Sequence, residues 1–135
     1  MDRIRILSDL HLDVNANYPI EIDDKSIFTI ICGDTSGYPD ITYNWVKNNI
    51  ERGIIISGNH LPYNDLNLTI QQLRDDLHSK FKLTDSITYL DAETSVFSKE
   101  VDGILFVGSC FYTNMALKHD YFNPTGDVNK NCKFS

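Results

Sequence analysis

A chain of 135 residues with 41% hydrophobic side chains fits a single domain, 1–135, with enough apolar surface to build a core. Lys and Arg number 12 against 19 Asp and Glu, and the resulting charge of −7 argues against extended nucleic-acid binding, because an acidic surface repels a phosphate backbone. No apolar run approaches the roughly 20 residues that span a membrane. Cys32, Cys110 and Cys132 form no CxxC pair, and Cys32 and Cys110 lie in apolar runs, where they are expected as buried, reduced thiols. The first strand is entered by Ile4, which leaves no room for a signal peptide, so a cytoplasmic location is expected.

Residues 3–8 read as a first strand that ends at Ser8-Asp9-Leu10-His11. Residues 12–26 are polar and hold Pro19, so they read mostly as loop. The run 27–32 is nearly continuous in β-branched and aromatic residues, as a fully buried strand would be, and it ends at Gly33-Asp34. Asp40 is a candidate N-cap for a helix with Ile41, Trp45, Val46 and Ile50 on one face, and Gly53 is its expected stop. Residues 54–57 form a third strand, ending at Gly58-Asn59-His60. A second helix over 67–81 carries Ile70, Leu73, Leu77 and Phe81 at helical spacing. Strand–helix–strand order, twice over, predicts an α/β fold with crossover connections.

From Ile87 onward the pattern predicts short antiparallel strands at 88–90, 95–97 and 104–107. Asp102-Gly103 is the hairpin turn between the last two. Trp45, Phe28, Phe81, Phe97 and Phe106 are expected in the core, and His78, one position past Leu77, is expected toward solvent. Residues 123–135 are polar and turn-rich, and read as a tail.

Each of the three strand ends carries residues that bind metal: Asp9 and His11, Asp34, and Asn59 with His60. The carboxyl-terminal edge of an open α/β sheet is where ligands bind. Hard carboxylate oxygens mixed with neutral imidazole suit a divalent metal centre for phosphoryl hydrolysis. Asp-x-His is expected to put both ligands on one side of an extended turn. Gly33 and Gly58 let the backbone turn sharply just before Asp34 and before Asn59. Taken alone, Asp9 and Asp34 read as strand-end acids that cap loop amides. The three motifs in register favour the metal site.

The trio Asp9-Leu10-His11, Gly33-Asp34 and Gly58-Asn59-His60 resembles the calcineurin-like metallophosphoesterase family, whose pattern is DxH, GD and GNH, each after a strand. The segment Gly108-Ser109-Cys110-Phe111-Tyr112-Thr113-Asn114 is similar to a further element of that family, and Tyr63 stands where members often carry an aromatic. The resemblance implies a sandwich of mixed β-sheets flanked by helices, and a phosphoesterase that cleaves phosphomonoesters or phosphodiesters of a small phosphorylated substrate with two metals. It implies that Asp9 and His11 bind the first metal, Asp34 bridges both, and Asn59 binds the second and can touch substrate. His60 would be the catalytic imidazole that does not bind metal. Manganese is the expected ion, with iron or zinc as alternatives.

The chain also departs from the pattern. Leu61 replaces the acidic residue that often follows GNH. The later Gly-His and Gly-His-x-His elements do not occur, and His119 lacks their context. Three expected ligands are therefore missing, the second metal position is incomplete, and the C-terminal part of the sandwich is expected to be lacking. That leaves an apolar face or open edge around Ile104 to Val107, suited to a homodimer or to pairing with a missing C-terminal segment. A second reading stays open: a catalytically inactive module that keeps the scaffold for binding.

Overall fold

The computed structural model describes residues 2–14, 20–94 and 96–110. Phe111 to Asn114, His119, Cys132 and the polar stretch 123–135 lie outside the described residues. Four strands, β1 (Ile4–Leu7), β2 (Phe28–Ile31), β3 (Gly53–Ile55) and β4 (Ile87–Tyr89), form one sheet in the order β1-β2-β3-β4. Every pairing in it is parallel. Helix α1 (Pro39–Asn49) crosses from β2 to β3, and α2 (Ile70–Phe81) from β3 to β4. Strands added in sequence order, each through a crossover of the same hand, put both helices on one face of the sheet.

The register explains the core. Leu7, Ile31, Ile55 and Tyr89 lie side by side across the four strands. That row packs with Val46 and Ile50 near the end of α1 and with Leu73, Leu77 and Phe81 of α2. The opposite face carries Phe28, Ile54 and Leu90, covered by an antiparallel hairpin of β5 (Ser98–Val101) and β6 (Ile104–Val107) through Val101 and Phe106. Within the hairpin turn Asp102 and Gly103 have φ of 52° and 78°, the left-handed pair that a tight two-residue hairpin needs. Ile6, Leu105 and Val107 are exposed, and the second sheet has two strands among the described residues. No helix of the described residues is long and apolar enough to cross a membrane.

Several expectations need correction. The strand near residue 88 is parallel, because the α2 crossover returns the chain in the direction of β3, and three residues carry no local mark of direction. The segment 95–97 is not the hairpin's first strand. The tight turn pairs Val101 with Ile104, so the partner of Val107 is Ser98, and Val96 makes only a single bridge to Asp91. Phe97 is consequently exposed. Cys32 is exposed and Cys110 half-buried, since among the described residues the hairpin on that face covers Phe28 and Ile54 but leaves the end of β2 open. His78 is half-buried.

Helix ends differ as well. Asp40 is not the N-cap of α1: Tyr38 takes that position, Pro39 opens the first turn with its preset φ, and Asp40 follows where its charge suits the helix dipole. The buried face is Pro39, Thr42 and Val46, which leaves Ile41 exposed. Gly53 is not the stop either; Ile50 ends α1 in extended conformation, and Gly53 opens β3. Helix α2 starts at Ile70 and not at 67, since Asn67 has a left-handed φ of 54°. Thr69 and Gln72 form a reciprocal capping box there. Thr69→Ala is expected to cost about 1 kcal/mol of stability, read from the urea midpoint, whereas an unchanged midpoint would mean that the cap contributes nothing.

A buried ion pair joins α2 to the sheet. Arg74 of α2 is 4% exposed and contacts Asp91 at 3.1 Å and Glu93 at 2.6 Å. Tyr89 donates a hydrogen bond to Asp91 at 3.0 Å. Burial pushes the Tyr89 phenol far above its ordinary range, so it stays a donor. A buried cation needs such partners, and here they tie α2 to the end of β4.

Candidate metal centre

The parallel ladder does not stop where the strands do. Cys32 donates its N–H to the Leu7 carbonyl, and Ile56 donates to Ile31. One step further, Asp9 donates to Gly33 at 3.2 Å, His11 to Asp34 at 3.0 Å, and Asp34 to Ser57 at 3.1 Å. The three motif loops are therefore bonded to one another along one sheet edge. That brings Asp9, His11 and Asp34 together: one donor atom from each lies within 4.8 Å of the others. Nitrogen and oxygen ligands sit about 2.0–2.2 Å from an ion such as zinc, so donors sharing one ion lie at most about 4.4 Å apart. Two carboxylates with one imidazole suit a divalent cation.

All three residues have left-handed backbone: φ is 55° at Asp9, 45° at His11 and 54° at Asp34. Only Asn67 and Asp102 share that conformation among the other described non-glycine residues. Such conformations cost energy for L-residues and gather at functional sites. They also correct the extended-turn expectation for Asp-x-His. Leu10 is buried between two left-handed residues, and this kink, not strand alternation, presents Asp9 and His11 together.

Glycine is required at two points beneath the centre. Gly33 and Gly58 have φ of 103° and 76°. A Cβ on Gly33 would meet the Gly58 Cα at 2.6 Å, and one on Gly58 would meet Asp34 Oδ1 at 2.1 Å. The loops touch backbone to backbone, which lets Asp34 sit 9% exposed while Asp9 stays open. The neighbouring Ser8 hydroxyl bonds to Asp9.

His60 donates its backbone N–H to Asp34 Oδ1 at 2.7 Å, and its ring meets the His11 ring edge-on with centroids 4.4 Å apart. Asn59 lies in the same loop and is exposed. Leu61, the departure from the acidic residue expected after the histidine, is 1% exposed and belongs to the helix-side core. Tyr63 is exposed, with its ring 5.8 Å from that of His60.

Asp13 is a residue that sequence reasoning missed. It lies in the turn closed by the Val14 N–H on the His11 carbonyl, and its Oδ2 is 3.0 Å from His60 Nε2. Gly37 N–H donates to the same oxygen at 3.3 Å. Burial pushes the Asp13 carboxyl up, but the hydrogen bonds from His60 and Gly37 outweigh it and hold the group below its ordinary range. The available signal was the spacing Asp9, His11, Asp13, which continues the polar alternation one step past the motif. In comparisons with known proteins, no family model, no curated protein and no solved structure matches the chain.

Proposed function

We propose that the chain is a metal-dependent phosphoesterase of the calcineurin-like kind, built on a metallophosphoesterase-type sandwich. The observation that carries this reading is the convergence of Asp9, His11 and Asp34, all left-handed, with the His60 ring alongside. Asp9, His11 and Asp34 would hold one divalent ion, with manganese as the first candidate; Asp34 and Asn59 are the donors for a second. A bound ion would supply Lewis acidity and a water-derived nucleophile at neutral pH. Asp34 is fixed from three sides, by His11 N–H on its carbonyl, Ser57 on its amide and His60 N–H on its carboxylate. Asn59 can reach a phosphoryl oxygen without adding negative charge, and His60 can donate to the leaving oxygen.

Three donors for one ion and two for the other make the second position the weaker. One retained manganese per chain and slow hydrolysis of a nitrophenyl phosphate ester are expected. The same count favours the second reading, a scaffold that binds without turnover, and a chain that takes up no manganese at millimolar concentration would select it.

His60→Ala separates ligand from catalyst. Manganese content should stay nearly unchanged, while hydrolysis should fall by the roughly 10²–10⁴-fold typical of a lost general acid. Loss of manganese on this substitution would make His60 a ligand and overturn the assigned role.

A further inference from the structure

We infer that Asp13 is the positioning residue for His60, fixing which ring nitrogen is left for the reaction. This rests on the phosphoesterase reading for its catalytic consequence, but not for the pairing itself. An ionised carboxylate only accepts hydrogen bonds, so at 3.0 Å from Asp13 the Nε2 of His60 carries the proton. Nδ1 is then the nitrogen left for the reaction; it has no hydrogen-bond partner among the described residues, and it donates to the leaving oxygen only as the imidazolium, whose charge the Asp13 carboxylate stabilises.

The pair is built rather than incidental. The side chains of Asp13 and His60 are 8% and 16% exposed, so the contact is sheltered from competing water. The Gly37 N–H holds the shared oxygen from the other side. Gly37 has no room for a side chain: a Cβ there would meet the Tyr63 carbonyl oxygen at 2.6 Å and Asp13 Oδ2 at 3.2 Å. The Asn64 amide bonds both the Gly37 and the Leu61 carbonyls at 2.8 Å, tying the Gly37 loop to the loop that carries His60. Asp13 Oδ1 is buried with no hydrogen-bond partner among the described residues. An unpaired buried carboxylate oxygen is costly, which fits a side chain kept for the histidine it holds.

Two independent measurements test this. Proton NMR of the metal-free protein should show a slowly exchanging imidazole N–H resonance that disappears in both Asp13→Ala and His60→Ala. If it is absent from the parent protein or survives in Asp13→Ala, the pairing is wrong. In the manganese-loaded protein, Asp13→Ala should lower kcat on nitrophenyl phosphate by the roughly 10–100-fold typical of lost outer carboxylates, with KM and manganese content little changed. Placed in a His60→Ala background, the same change should cost nothing further, because it acts only through that ring. An equal loss in both backgrounds would mean a general structural effect and would overturn the inference. Asp13→Asn keeps shape and an acceptor should the alanine variant unfold; it should retain the resonance and lose a smaller factor in kcat, and a loss as large as that of His60→Ala would count against positioning. A parent protein that binds manganese but hydrolyses nothing would fail the phosphoesterase reading alone, and the resonance would then decide the pair.

Discussion

Asp34→Asn is expected to abolish manganese binding while leaving the chain folded. The amide keeps the size of the carboxylate and an oxygen that can still accept from the His60 N–H, and both backbone bonds of residue 34 are untouched. What is lost is a charge at the point where three donors meet within 4.8 Å. Removing a direct ligand should exceed the roughly 10–100-fold that outer-shell changes cost in affinity. Calorimetry on the two proteins decides it, and equal affinities would refute the assignment of Asp34. Thermal unfolding gives a second reading. Manganese at 100 times its dissociation constant should stabilise the parent by about 2.7 kcal/mol, on the order of 10 °C in Tm for a domain of this size, and should leave the variant unmoved. Without metal the variant should be no less stable than the parent, since Asp9 and Asp34 repel each other there.

Gly58→Ala should be the most destabilising single change at the centre. The new methyl would lie 2.1 Å from Asp34 Oδ1 and 2.2 Å from the Asp34 amide nitrogen. No rotamer change relieves contact with a backbone nitrogen, so the loops must part. A control is built into the chain. Gly103 has nearly the same φ, 78° against 76°, yet a Cβ there meets nothing within 4 Å. Gly103→Ala should therefore cost only the left-handed penalty of about 1–2 kcal/mol. Gly58→Ala should cost that and the clash, about 4 kcal/mol or more, in the range reserved for named structural damage. Urea unfolding of both variants measures the difference. Equal losses would show that the loop closeness is not what glycine is there to allow.

The parts of the centre that were legible in the sequence are local ones. An apolar run followed by Asp-x-His or Gly-Asp writes a strand and its end into consecutive residues, and strand–helix–strand order then dictates that those ends share an edge. Asp13 was illegible because its role depends on a turn folding back over 47 positions to reach His60. The direction of β4 was illegible for a related reason: a three-residue strand is assigned by what it pairs with. Composition marked Cys32 as buried, but burial there depends on how far a distant hairpin extends. The left-handed φ of Asp9, His11 and Asp34 has no signature in residue type beyond the tolerance of Asp and His for it.

The continuation of the ladder past the strand ends has a consequence for motion. Ligand-bearing loops usually open on their own, at free energies well below that of global unfolding. Here the amides of Asp9, His11 and Asp34 are sheet hydrogen bonds in all but position, each spanning to the neighbouring loop. To open one of these loops the chain must break the same ladder that joins β1, β2 and β3, so the donors belong to the sheet's own cooperative unit. An ion bound at the proposed centre would meet donors whose ordering was completed when the sheet folded, and little of its binding energy would be spent on stilling them.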